Sequence, residues 1–269
     1  MSAANFRYAV LVEYDGTNLV GWQRQKNGIG VQEVIESALN NLTGSTVAIQ
    51  AAGRTDAGVH ASGQVAHFDL NKQWPTRRLI EGLNYHLRPF AIAIIDCRAV
   101  SGDFSARFSA VQRQYFYHIL TRTAPAVLQA GQVWWLPRPL ALEPMQQAAA
   151  LLVGRHDFTS FRAAQCQARS PVKSLSELSL SSISLEGGLE TRITITARAP
   201  SFLHHQVRNM VGSLVQVGLG RWPVERMAEA LAARDRSRAG ETAPPQGLVL
   251  ARVWYPELDF YERSDASLT

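Results

Sequence analysis

Cysteine is scarce in this sequence, with only Cys97 and Cys166 among 269 residues. The two are far apart and form no C-x-x-C pair, so neither a disulfide framework nor a zinc knuckle is indicated. No stretch reaches the roughly 20 apolar residues of a membrane-spanning helix. The amino terminus lacks the basic start and the apolar core of a secretory signal. We therefore expect a soluble protein of the reducing cytoplasm.

Lysine is also scarce, since three lysines and 24 arginines make up the 27 basic residues, against 22 acidic ones. Residues 106–173 carry the excess, with eight basic and two acidic residues, whereas the flanking segments are nearly balanced. Arginine grips phosphate bidentately and stacks on bases. The charge favours a polyanionic partner, although an arginine-rich genomic composition explains the same count equally well.

Hydrophobic periodicity predicts the order β-α-β-β-α-β in the first half of the chain. Strand segments alternate or are rich in β-formers, whereas helices repeat apolar residues every three or four positions. The predicted strands cover residues 6–14, 46–52, 64–70 and 91–100, and the predicted helices begin near Val31 and after Pro75. The loop 53–63 separates the second strand from the third.

The second half is a looser version of the same order. Strands are predicted at 112–121 and 248–255, a hairpin at 175–185 and 191–199, and helices at 142–153, 202–217 and 223–236. The chain is thus predicted to be α+β, with two similar halves, each a mainly antiparallel sheet backed by helices. The predicted domains are 1–105 and 106–269. Such sheets are a frequent platform for RNA.

The loop Gly53–Gln64, GRTDAGVHASGQ, is the strongest candidate for chemistry. Its three glycines let the backbone approach a ligand closely while an acid and a base are presented together, with Asp56 at the centre. The alternative is an ordinary turn in which Asp56 bonds its own backbone. The glycine spacing matches neither a P-loop nor G-x-G-x-x-G, so nucleotide binding is not indicated.

Aromatic residues alternate with basic and amide residues in RQYFY (113–117) and GWQRQ (21–25), as on a surface that stacks bases. Alternate aromatics on a strand are more often part of the core, so each segment alone is weak. The pair His204 and His205 lacks the i, i+4 spacing of a helical metal site. No G-x-S-x-G elbow supports a serine hydrolase.

Six segments that occur in one order favour a functional site over these structural interpretations. They are YDGTNLVGWQRQ (14–25), AGRTDAGVHASGQVAHF (52–68), FSARFSAVQRQYFYHI (104–119), DFTSFRAAQCQARSP (157–171), SFLHHQVRNMVGSL (201–214) and QGLVL (246–250). Together they resemble the tRNA pseudouridine synthase family TruA over nearly the whole chain. The GRTDAGVH window is highly specific to that type of enzyme.

The resemblance implies isomerisation of uridine to pseudouridine at positions 38, 39 and 40 of the tRNA anticodon stem-loop, in a cleft between the two halves. Asp56 matches the essential carboxylate and Tyr115 the active-site tyrosine. Arg208 is expected to pair with the aspartate. Leu248 matches the apolar residue beneath the target base, and Arg54 resembles the arginine that helps displace that base from the stem.

The expected partners are tRNA and a second copy of the chain, with no membrane. Arg24 and Gln64 are further candidates for substrate binding, Arg24 through phosphates. The isomerisation changes no oxidation state, so no cofactor or metal is expected. Asp56 would either attack C1′ or remove a sugar proton, and both routes need it ionised. The uridine must be flipped out of its stem first.

Three rival hypotheses remain. A non-catalytic RNA-binding module or chaperone would keep the basic segment but has no need of Asp56 beside Arg208. A nucleoside glycosidase acting on a small substrate would leave the basic segment unexplained. In the third, Asp56 is a turn residue and Arg208 a solvated helix charge, which fits the ordered set of motifs poorly.

Overall fold

A computed structural model describes residues 5–262, which form a mainly antiparallel α+β structure, as predicted. Its residues cluster into two compact units. The first unit contains the residues up to Gln112 and those from Leu250 onward, and the second contains Arg113–Val249. The predicted domains, 1–105 and 106–269, placed the last strand in the second half, whereas most of it clusters with the first unit.

The first unit is a sheet with two helices. Its elements are β1 (Phe6–Tyr14), α1 (Val31–Thr43), β2 (Gln50–Ala51), β3 (His60–Leu70), α2 (Thr76–His86) and β4 (Ile92–Val100). Strand β1 lies between β3 and β4 and is antiparallel to both. Helix α1 buries Val34, Ile35 and Leu39 and ends at Gly44, whose left-handed backbone only glycine adopts without strain.

The second unit has mainly antiparallel strands and three α-helices. Its elements are β5 (Gln112–Thr121), β6 (Trp134–Leu136), α3 (Leu142–Ala150), β7 (Gly154–Asp157), β8 (Val172–Leu175), β9 (Glu177–Leu185), β10 (Glu190–Ala199), α4 (Gln206–Gly218) and α5 (Arg226–Ala233). Strand β10 lies between β5 and β9. The last strand that the structure describes is β11 (Leu248–Trp254), which lies next to β3 in the sheet. No helix within residues 5–262 is long and apolar enough to cross a membrane.

The strands next to the candidate loop differ from the prediction. The strand predicted at 46–52 is reduced to Gln50–Ala51. Strand β3 begins at His60 and not at residue 64, because its pairing with β1 continues as far as Ala61 opposite Tyr14. The loop that carries Asp56 is therefore shorter than the glycine-rich sequence suggested, and its second half is already strand.

Several other bounds also differ. Helix α4 begins at Gln206 and not at residue 202, because His205 has a left-handed backbone with φ 63°. Helix α5 ends at Ala233, where Arg234 has φ 50°. Strands β6, β7 and β8 were not predicted, because three or four residues show no period and depend on distant partners.

Candidate active site

Asp56 lies in a tight turn of the first unit, half-buried, between β2 and β3. The amide of Val59 donates to the Asp56 carbonyl at 3.2 Å, and Gly58 supplies a left-handed backbone with φ 75°. The turn therefore uses main-chain atoms and a glycine.

The segment after β1 fixes this turn from the other side. The amide of Trp22 donates to the Thr55 carbonyl at 3.1 Å, and the amide of Gly58 donates to the Leu19 carbonyl at 3.2 Å. Gly21 has φ 96°, and a side chain there would overlap the Thr55 carbonyl. The geometry of this contact needs glycine at 21, so the YDGTNLVGW segment acts as the support of the Asp56 turn.

His60 ties the two loops together at the start of β3. Its buried Nδ1 accepts a hydrogen bond of 3.0 Å from the amide of Gly16. The neighbouring Asp15 accepts from the amide and hydroxyl of Thr17. Burial by itself would raise the pKa of Asp15, but these Thr17 hydrogen bonds and the His60 ring outweigh it, and the pKa is lowered. The polar side chains of His60 and Asp15 thus both have hydrogen-bond partners.

Gln64 and Arg54 lie in the same loop region but differ in burial. Gln64 is fully buried, and its Nε2 donates to the Gly53 carbonyl at 2.8 Å. Arg54, next in the chain to Gly53, is exposed. Gln64 is therefore placed to hold the loop from beneath, whereas Arg54 is placed to reach a bound molecule.

Arg24 is on the surface at the far end of the supporting segment. Its Nη2 forms an ion pair of 2.9 Å with Glu36 of α1, and more than half of the arginine side chain is exposed. An exposed pair of this kind contributes little to stability and is easily exchanged. A phosphate would have to compete with Glu36 for Arg24.

Tyr115 lies on β5 in the second unit. It is 8% exposed, and its ring meets the ring of Phe202 edge-on, with centroids 5.2 Å apart. An edge-to-face partner fixes the plane of the tyrosine ring. The aromatic predicted from RQYFY is therefore held in one orientation.

Arg208 lies in the first turn of α4 and is half-buried. Its Nε donates to the Ala243 carbonyl at 2.8 Å, and the amide of Ala243 donates back to the Arg208 carbonyl at 3.1 Å. The ion pair between Arg208 and Asp56 stays a prediction.

Leu248 is the first residue of β11 and is 6% exposed. The turn before it, Pro245–Gly247, is held by Tyr117, whose hydroxyl donates to the Pro244 carbonyl at 2.8 Å. Burial strongly raises the pKa of Tyr117, although Arg208 opposes the effect, so the phenol stays a neutral donor. Gly247 lies against the Tyr117 ring, where any side chain would overlap it.

Sequence reasoning missed the residues that hold these groups in place. Tyr14, Thr55, Tyr117 and Asn209 received no role, although all four lie in or beside the motifs. The available signal was their position, because a polar residue next to a catalytic residue in a buried element needs a partner. Which partner it finds depends on segments distant in sequence.

A sequence model described as tRNA pseudouridine synthase matches residues 10–109 and 148–256. The chain belongs to the tRNA pseudouridine synthase family. The predicted family, and with it the prediction of an isomerase that acts on uridine in tRNA, is confirmed.

Relatives of this tRNA pseudouridine synthase match along most of their length. A protein of Rhodospirillum rubrum named tRNA pseudouridine synthase A is 54% identical over 250 residues, which cover 93% of this chain and 88% of the relative. Proteins of the same name from Cereibacter sphaeroides and Beijerinckia indica are each 52% identical over 93% of this chain, and the matches cover 96% and 94% of those relatives.

The family match includes most of the candidate residues of this synthase. Asp56, Arg208 and Leu248 lie in the matched segments, whereas Tyr115 lies in the gap between them. The match to the family model therefore does not include Tyr115.

Proposed function

We propose that this synthase converts uridine to pseudouridine at positions 38, 39 and 40 of the tRNA anticodon stem-loop, in the cytoplasm, with Asp56 as its catalytic carboxylate. The observation that carries the proposal is the support of the Asp56 turn. Main-chain bonds from Trp22 and Gly58 hold the turn that carries the carboxylate. A nucleophile or base requires an acid that a rigid turn holds in one place.

The reaction breaks the bond from N1 of uracil to C1′ and forms a bond from C5 to C1′. The C5 proton leaves and N1 gains a proton, so the atoms and electrons balance without a co-reactant. Asp56 starts the reaction either by attacking C1′, which gives a covalent glycosyl ester, or by removing a sugar proton, which gives a glycal. Either route needs the carboxylate in its ionised form.

Arg208 is proposed to keep Asp56 ionised and oriented. A guanidinium offers parallel N–H donors to a carboxylate and is always charged, so it favours the ionised acid. The bond from Nε to the Ala243 carbonyl supports this role, because it holds the guanidinium in a defined direction. Replacing the planar fork by a lysine would keep the charge and lose the second bond.

The target base is proposed to be enclosed by Tyr115 and Leu248. Both are nearly buried at 8% and 6% exposure, so a base that enters beside them is shielded from water. The exposed Arg54 is proposed to fill the gap in the stem after the base flips. Gln64 is proposed to act indirectly, because its side chain is buried under Gly53.

The backbone of the tRNA is proposed to be held by the arginines of residues 106–173 and by Arg24, so affinity should fall steeply with salt.

We also propose a homodimer. Large exposed apolar side chains in the second unit, Val127, Leu128 and Leu189 at 77%, 96% and 81% exposure, offer a candidate surface. Sedimentation of the wild type and Leu128→Asp tests this assignment, and a monomeric wild type would refute it.

The test of the proposed function is tritium release from C5-labelled uridine in unmodified tRNA. We expect release by the wild type, none above background by Asp56→Ala or Asp56→Asn, and tRNA affinity of both variants within about tenfold, because the charge acts on chemistry and not on phosphate contacts. Substantial release by Asp56→Ala would remove Asp56 from the mechanism. Tight binding without release by the wild type would instead favour the RNA-binding module. Mapping the modified positions then tests 38, 39 and 40.

A further inference from the structure

Arg236 is a half-buried arginine outside the predicted site, in the short 3-10 turn Arg236–Arg238. Its Nη1 donates to the Gly240 carbonyl at 2.8 Å. Its Nη2 donates to Asn209 Oδ1 at 3.1 Å and to Thr242 Oγ1 at 3.0 Å. One planar guanidinium therefore joins a main-chain oxygen, an amide and a hydroxyl from two parts of the chain.

The acceptors of Arg236 are all neutral. Among residues 5–262, no carboxylate forms an ion pair with it. Burial lowers the pKa of Arg236 from its ordinary value, although an arginine remains charged in proteins. Charge neutralisation thus does not explain its position, whereas the fork geometry of its donors does.

Asn209 connects Arg236 to α4 and is the residue next to Arg208. It is fully buried, and its Nδ2 donates to the Phe161 carbonyl at 2.8 Å. Its Oδ1 accepts from Arg236 and also from the hydroxyl of Thr242 at 2.7 Å. The first turn of α4 is therefore bonded to Gly240–Ala243, here called the clamp segment.

The clamp segment lies directly on the backbone of α4. A side chain at Gly212 would overlap the carbonyl of Glu241. Ser213 Oγ accepts from the amide of Gly240 and donates to the Asn209 carbonyl, both at 2.8 Å. Because the backbones of the helix and the segment touch at Gly212, a small shift of the segment moves every group bonded to it.

Arg208 is bonded to the far end of that segment. The two reciprocal bonds between Arg208 and Ala243 tie the direction of the guanidinium to the place of Ala243. We propose that Arg236 is a positioning residue for pseudouridine synthesis, which fixes the clamp segment through Asn209 and Thr242 so that Ala243 aims the guanidinium of Arg208. This inference rests on the proposed function, in which Arg208 pairs with Asp56.

The test compares Arg236→Lys, Arg208→Lys and the double variant in single-turnover release of C5 tritium, with enzyme in excess over tRNA. Arg238→Lys is the matched control, since Arg238 is an exposed arginine of the same turn. We expect Arg236→Lys to slow the saturating rate about tenfold while the Kd for tRNA stays within about threefold, because the lost fork affects chemistry and not binding. Arg238→Lys should keep the wild-type rate.

The double variant separates positioning from stabilisation. If Arg236 acts through Arg208, the double variant is no slower than Arg208→Lys within about twofold, whereas independent effects multiply. Thr242→Val removes the hydroxyl shared by Arg236 and Asn209 without changing charge, and it should slow the same step. If Arg236→Lys does not fold, Thr242→Val tests the positioning role in its place. Thermal unfolding gives the folded fraction of each variant.

The outcomes distinguish this inference from the proposed function. A wild-type rate for folded Arg236→Lys, or slow rates that multiply in the double variant, would overturn the role of Arg236 alone. A wild-type rate for Arg208→Lys would instead remove Arg208 from the proposed function, and the role of Arg236 would fall with it.

Discussion

The hydroxyl groups of Tyr14 and Thr55 lie 2.8 Å apart in the interior, so the end of β1 is bonded to the residue immediately before Asp56. Both residues are buried. The bond joins a buried strand to the turn that carries Asp56. The position of the proposed catalytic carboxylate therefore depends on a hydroxyl pair that joins the loop motif to the end of β1.

Tyr14→Phe should weaken this support. The buried hydroxyl of Thr55 loses a partner, which costs about 1 kcal/mol of stability, and the displaced turn lowers the saturating rate about tenfold. Single-turnover assays and thermal unfolding measure the two effects. Tyr8→Phe is the matched control, because Tyr8 is equally buried on β1 but bonds the main chain of Trp74. Equal rates for the two variants would contradict the prediction.

Gly21→Ala should damage the turn more severely. The left-handed backbone at 21 costs alanine roughly 1–2 kcal/mol, and its Cβ would also overlap the Thr55 carbonyl. We expect a rate loss of about 100-fold, since the Asp56 turn must move. Gly44→Ala controls for the backbone cost alone, because Gly44 is left-handed with open space around it. A Gly21→Ala enzyme as fast as Gly44→Ala would show that the contact does not position Asp56.

Tyr115→Phe tests the phenol of Tyr115 separately from its ring. The edge-on contact with Phe202 needs only the ring, so tRNA binding should be kept. If the hydroxyl relays the C5 proton, the saturating rate falls about 100-fold, as for other general acid–base groups. Full activity of Tyr115→Phe would eliminate the relay and leave stacking as the role of this residue.

His67 should make stability depend on pH near neutrality. Burial and then the charge of Arg7 hold the pKa of His67 below its ordinary 6.5, while Asp69 opposes them. The unfolded chain therefore binds a proton at a higher pH than the folded one. Stability from the neutral ring is present above pH 6.5 and is lost as the pH falls from there towards the folded pKa.

His67→Gln should remove part of that dependence, because glutamine does not titrate and keeps an acceptor for the Ala106 amide. Urea unfolding at about pH 7.5 and about pH 5.5 measures it. The wild type is expected to lose more free energy of unfolding on acidification than the variant. Equal losses would show that His67 titrates alike in both states.

The sequence by itself determined the α+β class, the bounds of β1 and β5, and the family. A sustained alternation of apolar and polar residues indicates a long strand, and the ordered motifs indicate the enzyme family. It also named Asp56 as a candidate, through the resemblance of the GRTDAGVH loop to the family's motif. These features depend on residues that are close together in the sequence, so the sequence alone contains the information that specifies them.

Only the tertiary structure decided what holds those residues in place. The start of β3 at His60, the short β2 and the strands β6, β7 and β8 depend on partners that no local period reveals. The same holds for Tyr14 on Thr55 and for Arg236 on Asn209, since each bond joins residues far apart in sequence. Hydrogen bonds are directional and short, so which polar groups meet is settled only when the chain has packed.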